Sequence, residues 1–319
     1  MKPETKLRSE QLLTRPVTME PAFDDPDGIM DLIRKGSPYK TLAAVHRNVG
    51  ETTGGWFRNF WALGGKVVFD GAEPFFHNQR FMEAAQKTYK ADVIRPVAMM
   101  TNLNLPQAGA PYHLDLPFFR GAENKEVPSW MLTPMRYSEL FQDWAVPIAS
   151  AVTWFYDGEG GEFEYWPDGL EHPSFTESPP YTNRCVLADN EYMFHRVGAI
   201  GPKSEQGKYD KIGYDALLEL GSDNRWHVRE TGQTWPSFEF GQVRISVLWK
   251  AHCFENDRVA GIYDDHSDDL NAQLVTDIFK KDLKKREIAF REPGDLATDM
   301  EWKELLVETY APPEGAQRY

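Results

Sequence analysis

Two histidines and an aspartate stand out in this chain, because their types and spacing suit a metal centre. His113 and Asp115 are two residues apart, and His195 follows much later in an apolar and aromatic stretch. Alternate side chains of a strand point to one face, so His113 and Asp115 would lie about 6.6 Å apart on the same side. Two imidazoles and one carboxylate on one face of a metal leave the opposite face open, which is typical of non-haem Fe(II) oxygen chemistry.

An Arg-x-Ser pair follows these residues in a later strand-like segment. Arg244 and Ser246 share one strand face, and the planar guanidinium of arginine can pair with a carboxylate through two hydrogen bonds. Two other cations are weaker candidates for that role. Arg196 adjoins His195, so strand alternation turns it away from the metal face. Lys250 keeps the parity of Arg244 but lies about 20 Å further along the strand.

Other interpretations of the same residues remain open. A His-x-Asp tripeptide occurs by chance in many proteins, and only its context makes it a ligand pair. Two histidines and an aspartate can also bind zinc, as in a hydrolase. The remaining histidines have no partner at ligand spacing, although His252 shares the parity of Arg244 and could approach the site from further along the strand.

The order His113-x-Asp115, His195, Arg244-x-Ser246 resembles the Fe(II)/2-oxoglutarate-dependent dioxygenase superfamily, over roughly residues 94 to 255. The resemblance implies that the first three residues hold Fe(II), that Arg244 and Ser246 bind the distal carboxylate of 2-oxoglutarate, and that O2 is the second co-substrate. The local sequence Phe-His-Arg-Val, followed by Arg-Ile-Ser, resembles that of the branch that includes isopenicillin N synthase and plant-type hydroxylases. His195 and Arg244 are 49 residues apart, a longer interval than the superfamily usually has, which implies an insertion.

The strand pattern predicts a mainly β fold with flanking helices. Short apolar and aromatic segments follow one another from Val93 onward, separated by turn residues such as those of the Asp157 to Gly161 loop. That many antiparallel-looking strands indicate a sandwich or jelly-roll barrel, here a double-stranded β-helix of cupin-like type. The candidates are 94–105, 111–119, 147–156, 161–166, 184–187, 192–200, 226–230 and 242–254.

We expect one structural domain in three regions. Residues 1–92 form a helical and mixed region that packs on the core, with a polar arm at 1–20 and helices at 27–35 and 78–91, the latter with Asn78 as a cap. Residues 93–263 form the catalytic core, and 264–319 form C-terminal helices. Within the core, residues 198–241 are the insertion, which is either a lid beside His195 or a peripheral decoration.

Composition excludes several classes of function. A formal charge of -14 argues against nucleic acid as a partner, because phosphate binding needs clustered Lys and Arg. Cys185 and Cys253 are too few for a disulfide framework, and the N-terminus has no apolar signal core, so we expect a cytoplasmic, reducing environment. No apolar run is long enough to cross a bilayer. The oligomeric state is not predicted.

The resemblance implies oxidation of a C–H bond in a small molecule, such as an amino acid, an organic acid or a natural-product intermediate. Hydroxylation is the expected outcome, and desaturation or oxidative cyclisation would use the same ligands. Asp115 argues against halogenation. The alternatives are an iron oxidase of the same fold that uses no 2-oxoglutarate, and a non-catalytic cupin-like binding protein. Candidate substrate contacts are Phe119, Tyr112, Asn102 and Asn104.

Overall fold

Two antiparallel sheets form the centre of the molecule in this computed structural model, which describes residues 14–47, 49–52, 54–122 and 127–312. The larger sheet has eleven strands, and the smaller has three. A hydrophobic cluster between them includes Trp154 of the larger sheet and Phe163 of the smaller one, whose rings lie 5.1 Å apart. The two sheets therefore face each other across a shared interior.

The strands range in length from two residues to twelve. In chain order they are β1 (Val17–Met19), β2 (Tyr39–Thr41), β3 (Trp56–Leu63), β4 (Lys66–Val67), β5 (Val93–Asn104), β6 (Ile148–Tyr156), β7 (Phe163–Trp166), β8 (Phe175–Glu177), β9 (Tyr181–Ala188), β10 (Phe194–Val197), β11 (Leu217–Leu220), β12 (Arg225–Arg229), β13 (Ser237–Glu239) and β14 (Arg244–Phe254).

Helices flank the sheets, most of them in the first and last thirds of the chain. They are α1 (Pro26–Lys35), α2 (Leu42–His46), α3 (Glu73–Phe76), α4 (Gln79–Tyr89), α5 (Leu132–Ser138), α6 (Asp257–Asp264), α7 (Ala272–Lys285) and α8 (Met300–Thr309). Within the described ranges, no helix combines the length and the apolar character that a membrane crossing needs. Residues from α5, α7 and α8 share a second hydrophobic cluster, which includes Met135, Phe279 and Leu306.

The strand order identifies the fold. The larger sheet runs β1-β9-β6-β14-β5-β3-β2-β11-β12-β13, with β4 on β3, and the smaller sheet runs β10-β7-β8. From β5 in the larger sheet, the chain reaches a bridge with β10 at His113 and returns to the larger sheet as β6. It then forms β7 and β8 of the smaller sheet, β9 of the larger and β10 of the smaller. Strands β11 to β14 all belong to the larger sheet. This alternation between two facing sheets is a double-stranded β-helix, so the predicted fold class is confirmed.

Side-chain alternation along β14 separates packing from chemistry. Val247 and Trp249 are buried in the main hydrophobic cluster, where the Trp249 ring lies 5.4 Å from Phe81 of α4 and its Nε1–H donates to the Phe76 carbonyl at 2.8 Å. Residues of the other parity must then point into the space between the sheets. They include Arg244 and Lys250.

The first 92 residues contribute to the larger sheet as well as packing on it. Strand β3 pairs with β5 along its length, β2 pairs with β3, and β1 pairs with β9. Of the arm predicted at residues 1–20, residues 1–13 lie outside the described ranges, and Val17–Met19 forms β1.

The expected insertion adds strands at one edge of the same sheet. Strand β11 pairs with β2, and β12 and β13 continue the antiparallel order outward. Trp226 of β12 is fully buried and meets Tyr39 of β2 edge-on, with ring centroids 5.9 Å apart. Residues 217–239 thus extend the sheet, and a lid role for 198–241 stays a prediction.

The continuous strand expected over residues 111–119 is wrong. His113 forms an isolated bridge with His195, and Phe119 forms another with Ala145. The intervening residues do not join a ladder. Pro111 and Pro117 carry no backbone N–H, which removes two donors that a continuous strand would need.

We predict that Asn78→Ala lowers the free energy of unfolding by about 1 kcal/mol, because the Asn78 side chain caps α4 by accepting from the N–H groups of Arg80 and Phe81. Urea unfolding of the full chain measures the change. Lys87→Ala, an exposed position on the same helix, is the control. An equal loss in both variants would contradict the capping role.

Candidate metal centre

His113 and His195 lie directly opposite each other on neighbouring chain segments. The His113 N–H donates to the His195 carbonyl at 2.9 Å, and the His195 N–H donates to the His113 carbonyl at 3.0 Å. This reciprocal pair places both side chains on the same face of the smaller sheet. The two ring centroids are 4.4 Å apart.

Each imidazole is oriented by a backbone carbonyl two residues before it. Nδ1 of His113 lies 3.2 Å from the Pro111 oxygen, and Nδ1 of His195 lies 3.0 Å from the Met193 oxygen. A carbonyl only accepts, so both Nδ1 atoms must carry the proton and donate. In this tautomer Nε2 is the ring atom that can offer a lone pair to a metal, which is the arrangement that metal-binding histidines use.

Asp115 completes the group from a position held by both backbone and side chain. Its N–H donates to the Asn190 carbonyl at 2.8 Å, and its Oδ2 accepts from Lys250 Nζ at 2.7 Å. The other oxygen, Oδ1, lies 3.6 Å from His195 Nε2. Asp115 therefore presents one oxygen to the histidines while Lys250 occupies the other.

Lys250 is a member of this site that the sequence interpretation set aside. Its Nζ donates both to Asp115 and to Glu191 Oε1, the latter at 2.8 Å. Burial alone would lower the pKa of Lys250, but the two carboxylates raise it above its usual value. The lysine is thus a fixed cation, and it anchors the carboxylate that faces the two imidazoles.

The ionisation states suit a metal ligand set. Burial, together with the nearby His195, lowers the pKa of His113 to about 4, so its ring is neutral at neutral pH. Burial would raise the pKa of Asp115, but Lys250 and His195 hold it well below the ordinary range. Burial raises the pKa of Glu191 to about 7, against the opposing effect of Lys250.

The donor atoms of His113, Asp115 and His195 all lie within 4.8 Å of one another. Two imidazole nitrogens and one carboxylate oxygen match the donor set of non-haem Fe(II) sites, and zinc accepts the same atoms. Donors in adjacent positions about 2.1 Å from a metal are about 3 Å apart, so metal binding would draw these three atoms slightly together. The residues present therefore fit a divalent transition metal.

Arg244 lies in the same inter-sheet space, at the start of β14. Its Nε–H donates to the Gly161 carbonyl at 2.8 Å, and its side chain is almost fully buried. Among the described residues, nothing accepts from its Nη2 atom. Burial lowers the pKa of Arg244 to about 10, so the guanidinium is still charged at neutral pH. A buried cation with an unused donor is suited to an anionic ligand.

Gly161 makes room for that arginine. A Cβ at this residue would lie 2.8 Å from Arg244 Cδ, and its φ of +77° favours glycine. Across the sheet, Ser246 pairs with Asn102 and Arg244 pairs with Asn104, so all four share the interior face. Ser246, Asn102 and Asn104 are buried there.

Two of the expected substrate contacts lie elsewhere. Tyr112 packs against Phe194 and Trp166, with ring centroids 5.8 and 5.9 Å apart, on the outer side of the smaller sheet. Phe119 is buried in the second hydrophobic cluster, 6.2 Å from Phe141. Phe119 would share the face of His113 only on a continuous strand, and none is present between them.

No protein-family model and no curated protein matches the sequence. Among solved structures, the fold is similar to an oxidoreductase of the 2OG-Fe(II) oxygenase family from Burkholderia pseudomallei, with a TM-score of 0.41, 14% identity, and coverage of 74% of this chain and 84% of that one. A Pseudomonas putida prolyl-4-hydroxylase aligns with a TM-score of 0.37 and 13% identity over 76% of this chain and 94% of its own.

HygX from Streptomyces hygroscopicus, solved with nickel and 2-oxoglutarate bound, aligns with a TM-score of 0.38 and 6% identity over 77% of this chain and 87% of its own. With TM-scores below 0.5, these likenesses carry no conclusion about the activity of this chain.

We predict that the protein binds one equivalent of Fe(II) under exclusion of oxygen, and that His195→Ala and Asp115→Ala each weaken this binding at least tenfold, since each removes one of three donors. Calorimetric titration measures the affinity. His172→Ala, an exposed histidine, is the control. Unchanged affinity in both ligand variants would rule out this centre.

We predict that Lys250→Met destabilises the metal-free protein by about 3 kcal/mol, because two buried carboxylates lose their shared cation. Bound metal should restore part of that loss by acting as the counter-charge for Asp115. The readout is the rise in Tm on adding metal, which should be larger in the variant than in the native chain.

The control for that prediction is Lys208→Met. Lys208 donates to Glu205 at the same 2.7 Å distance as Lys250 to Asp115, but on the exposed surface. An exposed pair contributes at most about 1 kcal/mol, so this variant should change little. Similar losses in the two lysine variants would contradict the anchoring role of Lys250.

Proposed function

We propose that the protein is an Fe(II)- and 2-oxoglutarate-dependent oxygenase that oxidises a C–H bond of a small molecule. The balanced reaction is substrate R–H plus 2-oxoglutarate plus O2, giving R–OH, succinate and CO2. One observation carries the proposal: the three metal donors and a buried arginine with an unused Nη2 face the same space between two sheets.

His113, Asp115 and His195 would hold the metal through Nε2, Oδ1 and Nε2. When bound, iron and 2-oxoglutarate supply, together with O2, the oxidant for the C–H bond. Arg244 would donate from Nη2 to the distal carboxylate of 2-oxoglutarate, with the Ser246 hydroxyl beside it on the same strand face. The aromatic residues of the interior, such as Trp154 and Phe163, would exclude water from the reacting atoms.

The arrangement of donors supports an oxygenase in preference to a zinc hydrolase. A hydrolase with this donor set needs a metal-bound water, but it has no need of a buried guanidinium without a carboxylate partner. An arginine that binds the distal end of a dicarboxylate accounts for Arg244 directly. An iron oxidase that uses no 2-oxoglutarate would leave Arg244 to contact the substrate itself.

Several finer assignments stay predictions. They are hydroxylation as the outcome, the isopenicillin N synthase-like branch, a role in natural-product biosynthesis, and a cytoplasmic location. The substrate roles of Phe119 and Tyr112 have no support from their positions. Asn102 and Asn104 lie on the interior face and remain candidates.

The test is an anaerobic titration of the ferrous protein with 2-oxoglutarate. The visible charge-transfer absorption of the complex reports the binding. We predict saturable binding in the native chain and an affinity at least tenfold weaker in Arg244→Ala, since a charge-assisted hydrogen bond contributes about 1.5–3 kcal/mol. Arg196→Ala is the matched control, because Arg196 is next to His195 but pairs outward with Glu164 at 2.6 Å.

Two results would contradict the proposal. The first is the absence of any 2-oxoglutarate-dependent absorption in the native ferrous protein. The second is an Arg244→Ala variant that binds 2-oxoglutarate as tightly as the native chain does. Oxygen uptake without succinate release would favour the oxidase that uses no 2-oxoglutarate.

A further inference from the structure

We infer that Arg58 forms a second anion subsite, which binds a carboxylate of the substrate, so that the substrate class is a small organic acid. The inference rests on the proposed function and adds to it the group by which the substrate is held. Arg58 is not part of the motif that resembles the oxygenase superfamily, and its placement comes from strand pairing alone.

Strand register places Arg58 on the interior face. In β3, Arg58 lies opposite Asn102 of β5, and Asn102 lies opposite Ser246 of β14. Residues paired across a sheet share a face, so Arg58 points to the same side as Ser246, Arg244 and Lys250. Two strand spacings separate Arg58 from Ser246, or about 10 Å. Arg58 therefore borders the space that the metal donors face, from the strand beyond β5.

The hydrogen-bond partners of Arg58 are neutral. Its Nε–H donates to Asn102 Oδ1 at 2.7 Å, and its Nη1 donates to His46 Nε2 at 3.1 Å. Burial lowers the pKa of His46, and the positive charge of Arg58 lowers it further. The His46 ring is therefore a neutral acceptor. These contacts use two of the five N–H groups of the guanidinium. They orient the group without neutralising it.

Two other cations with little solvent exposure have carboxylate partners. Lys250 binds Asp115 and Glu191, and Arg120 binds Asp268 at 2.6 Å. Arg58 and Arg244 differ: within the part of the chain that the structure describes, neither has a carboxylate at ion-pair distance. Arg244 is almost fully buried and Arg58 is half-buried, with His46 exposed beside it, so an anion that enters from solvent could reach Arg58 and stabilise its partly desolvated charge. The 2-oxoglutarate accounts for Arg244, which leaves Arg58 for the substrate.

The electrostatics around Arg58 agree with this role. Burial lowers the pKa of Arg58 to about 10, so the guanidinium is charged at neutral pH. The negative charge of Asp115 opposes that shift, which means that Arg58 lies within electrostatic reach of this metal ligand. The Trp56 ring lies 5.6 Å from the guanidinium carbon, and its Nε1–H donates to the same Asn102 oxygen at 3.1 Å. A planar guanidinium held beside an aromatic wall is suited to two-point binding of a carboxylate.

The direct test uses simple probes and requires no turnover. The protein is loaded with nickel and saturating 2-oxoglutarate, then titrated calorimetrically with a series of straight-chain monocarboxylates and with the matching primary amides. We expect saturable binding of at least one carboxylate and a preference of tenfold or more over its amide. Arg58→Gln should remove the preference, and Arg58→Lys should retain part of it. The control is Arg229→Gln. Arg229 is an exposed arginine of β12 that pairs with Glu219 of β11.

The affinity for 2-oxoglutarate is measured in the same variants. It should be unchanged in Arg58→Gln, since Arg244 and not Arg58 is assigned to that ligand. The inference is overturned if no carboxylate of the series binds, if amides bind as well as acids, or if the preference survives in Arg58→Gln. It is also overturned if Arg58→Gln loses 2-oxoglutarate, because Arg58 would then belong to that ligand.

Failure of the proposed function gives a different pattern. If the native protein binds neither metal nor 2-oxoglutarate, the oxygenase proposal fails by itself, and the carboxylate series is then titrated into the protein without them. Binding that depends on Arg58 in that form would support an anion site in a protein of another function. No binding there would overturn the anion site too.

Discussion

The reciprocal backbone hydrogen bonds between His113 and His195 are the constraint on which the site depends. These residues are far apart in the sequence, and no ladder of strand pairs extends through the segment that carries His113. Two hydrogen bonds nevertheless put both imidazoles on one face. Asp115 then needs only its own backbone bond to Asn190 and the Lys250 cation to bring its carboxylate to the same point.

Strand β14 connects this centre to the rest of the molecule. Its outward side chains are buried against α4 and the neighbouring helices, so the strand cannot rotate or slip without exposing Val247 and Trp249 to water. Its inward side chains thereby keep their positions. Arg244 faces the space at one end of the strand, and Lys250 contacts Asp115 further along it. Apolar packing on one face thus sets the geometry of charged groups on the other.

Much of this arrangement could be predicted from local sequence patterns. The long strands β5, β6 and β14 have clear apolar segments, and Asn78 caps α4 as its position indicated. The convergence of His113, Asp115 and His195 was predicted from their spacing and order, but the backbone bond from Asp115 to Asn190, and not a continuous strand, brings Asp115 to the site. The apolar segments, the Asn78 cap and the His113–Asp115 pair depend on residues within a few positions of one another, whereas His195 was assigned from the order of the motifs.

Features that depend on distant pairing could not be predicted in the same way. Lys250 was set aside because it is far from Arg244 along the strand, but the relevant partner, Asp115, comes from another segment and lies beside Lys250 instead. The aromatic stretch of β3 gave no sign that Arg58 would face the interior, since its register is set by β5. Strand β11 pairs with β2, about 180 residues earlier in the chain, for which no local pattern exists.

The most direct measurement of the central claim is a crystal structure of the protein with nickel and 2-oxoglutarate. We expect one metal ion about 2.0 to 2.2 Å from Nε2 of His113, Nε2 of His195 and one oxygen of Asp115, with the distal carboxylate of 2-oxoglutarate on Arg244. A metal held by other residues, or no metal between these three side chains at saturating concentration, would contradict it.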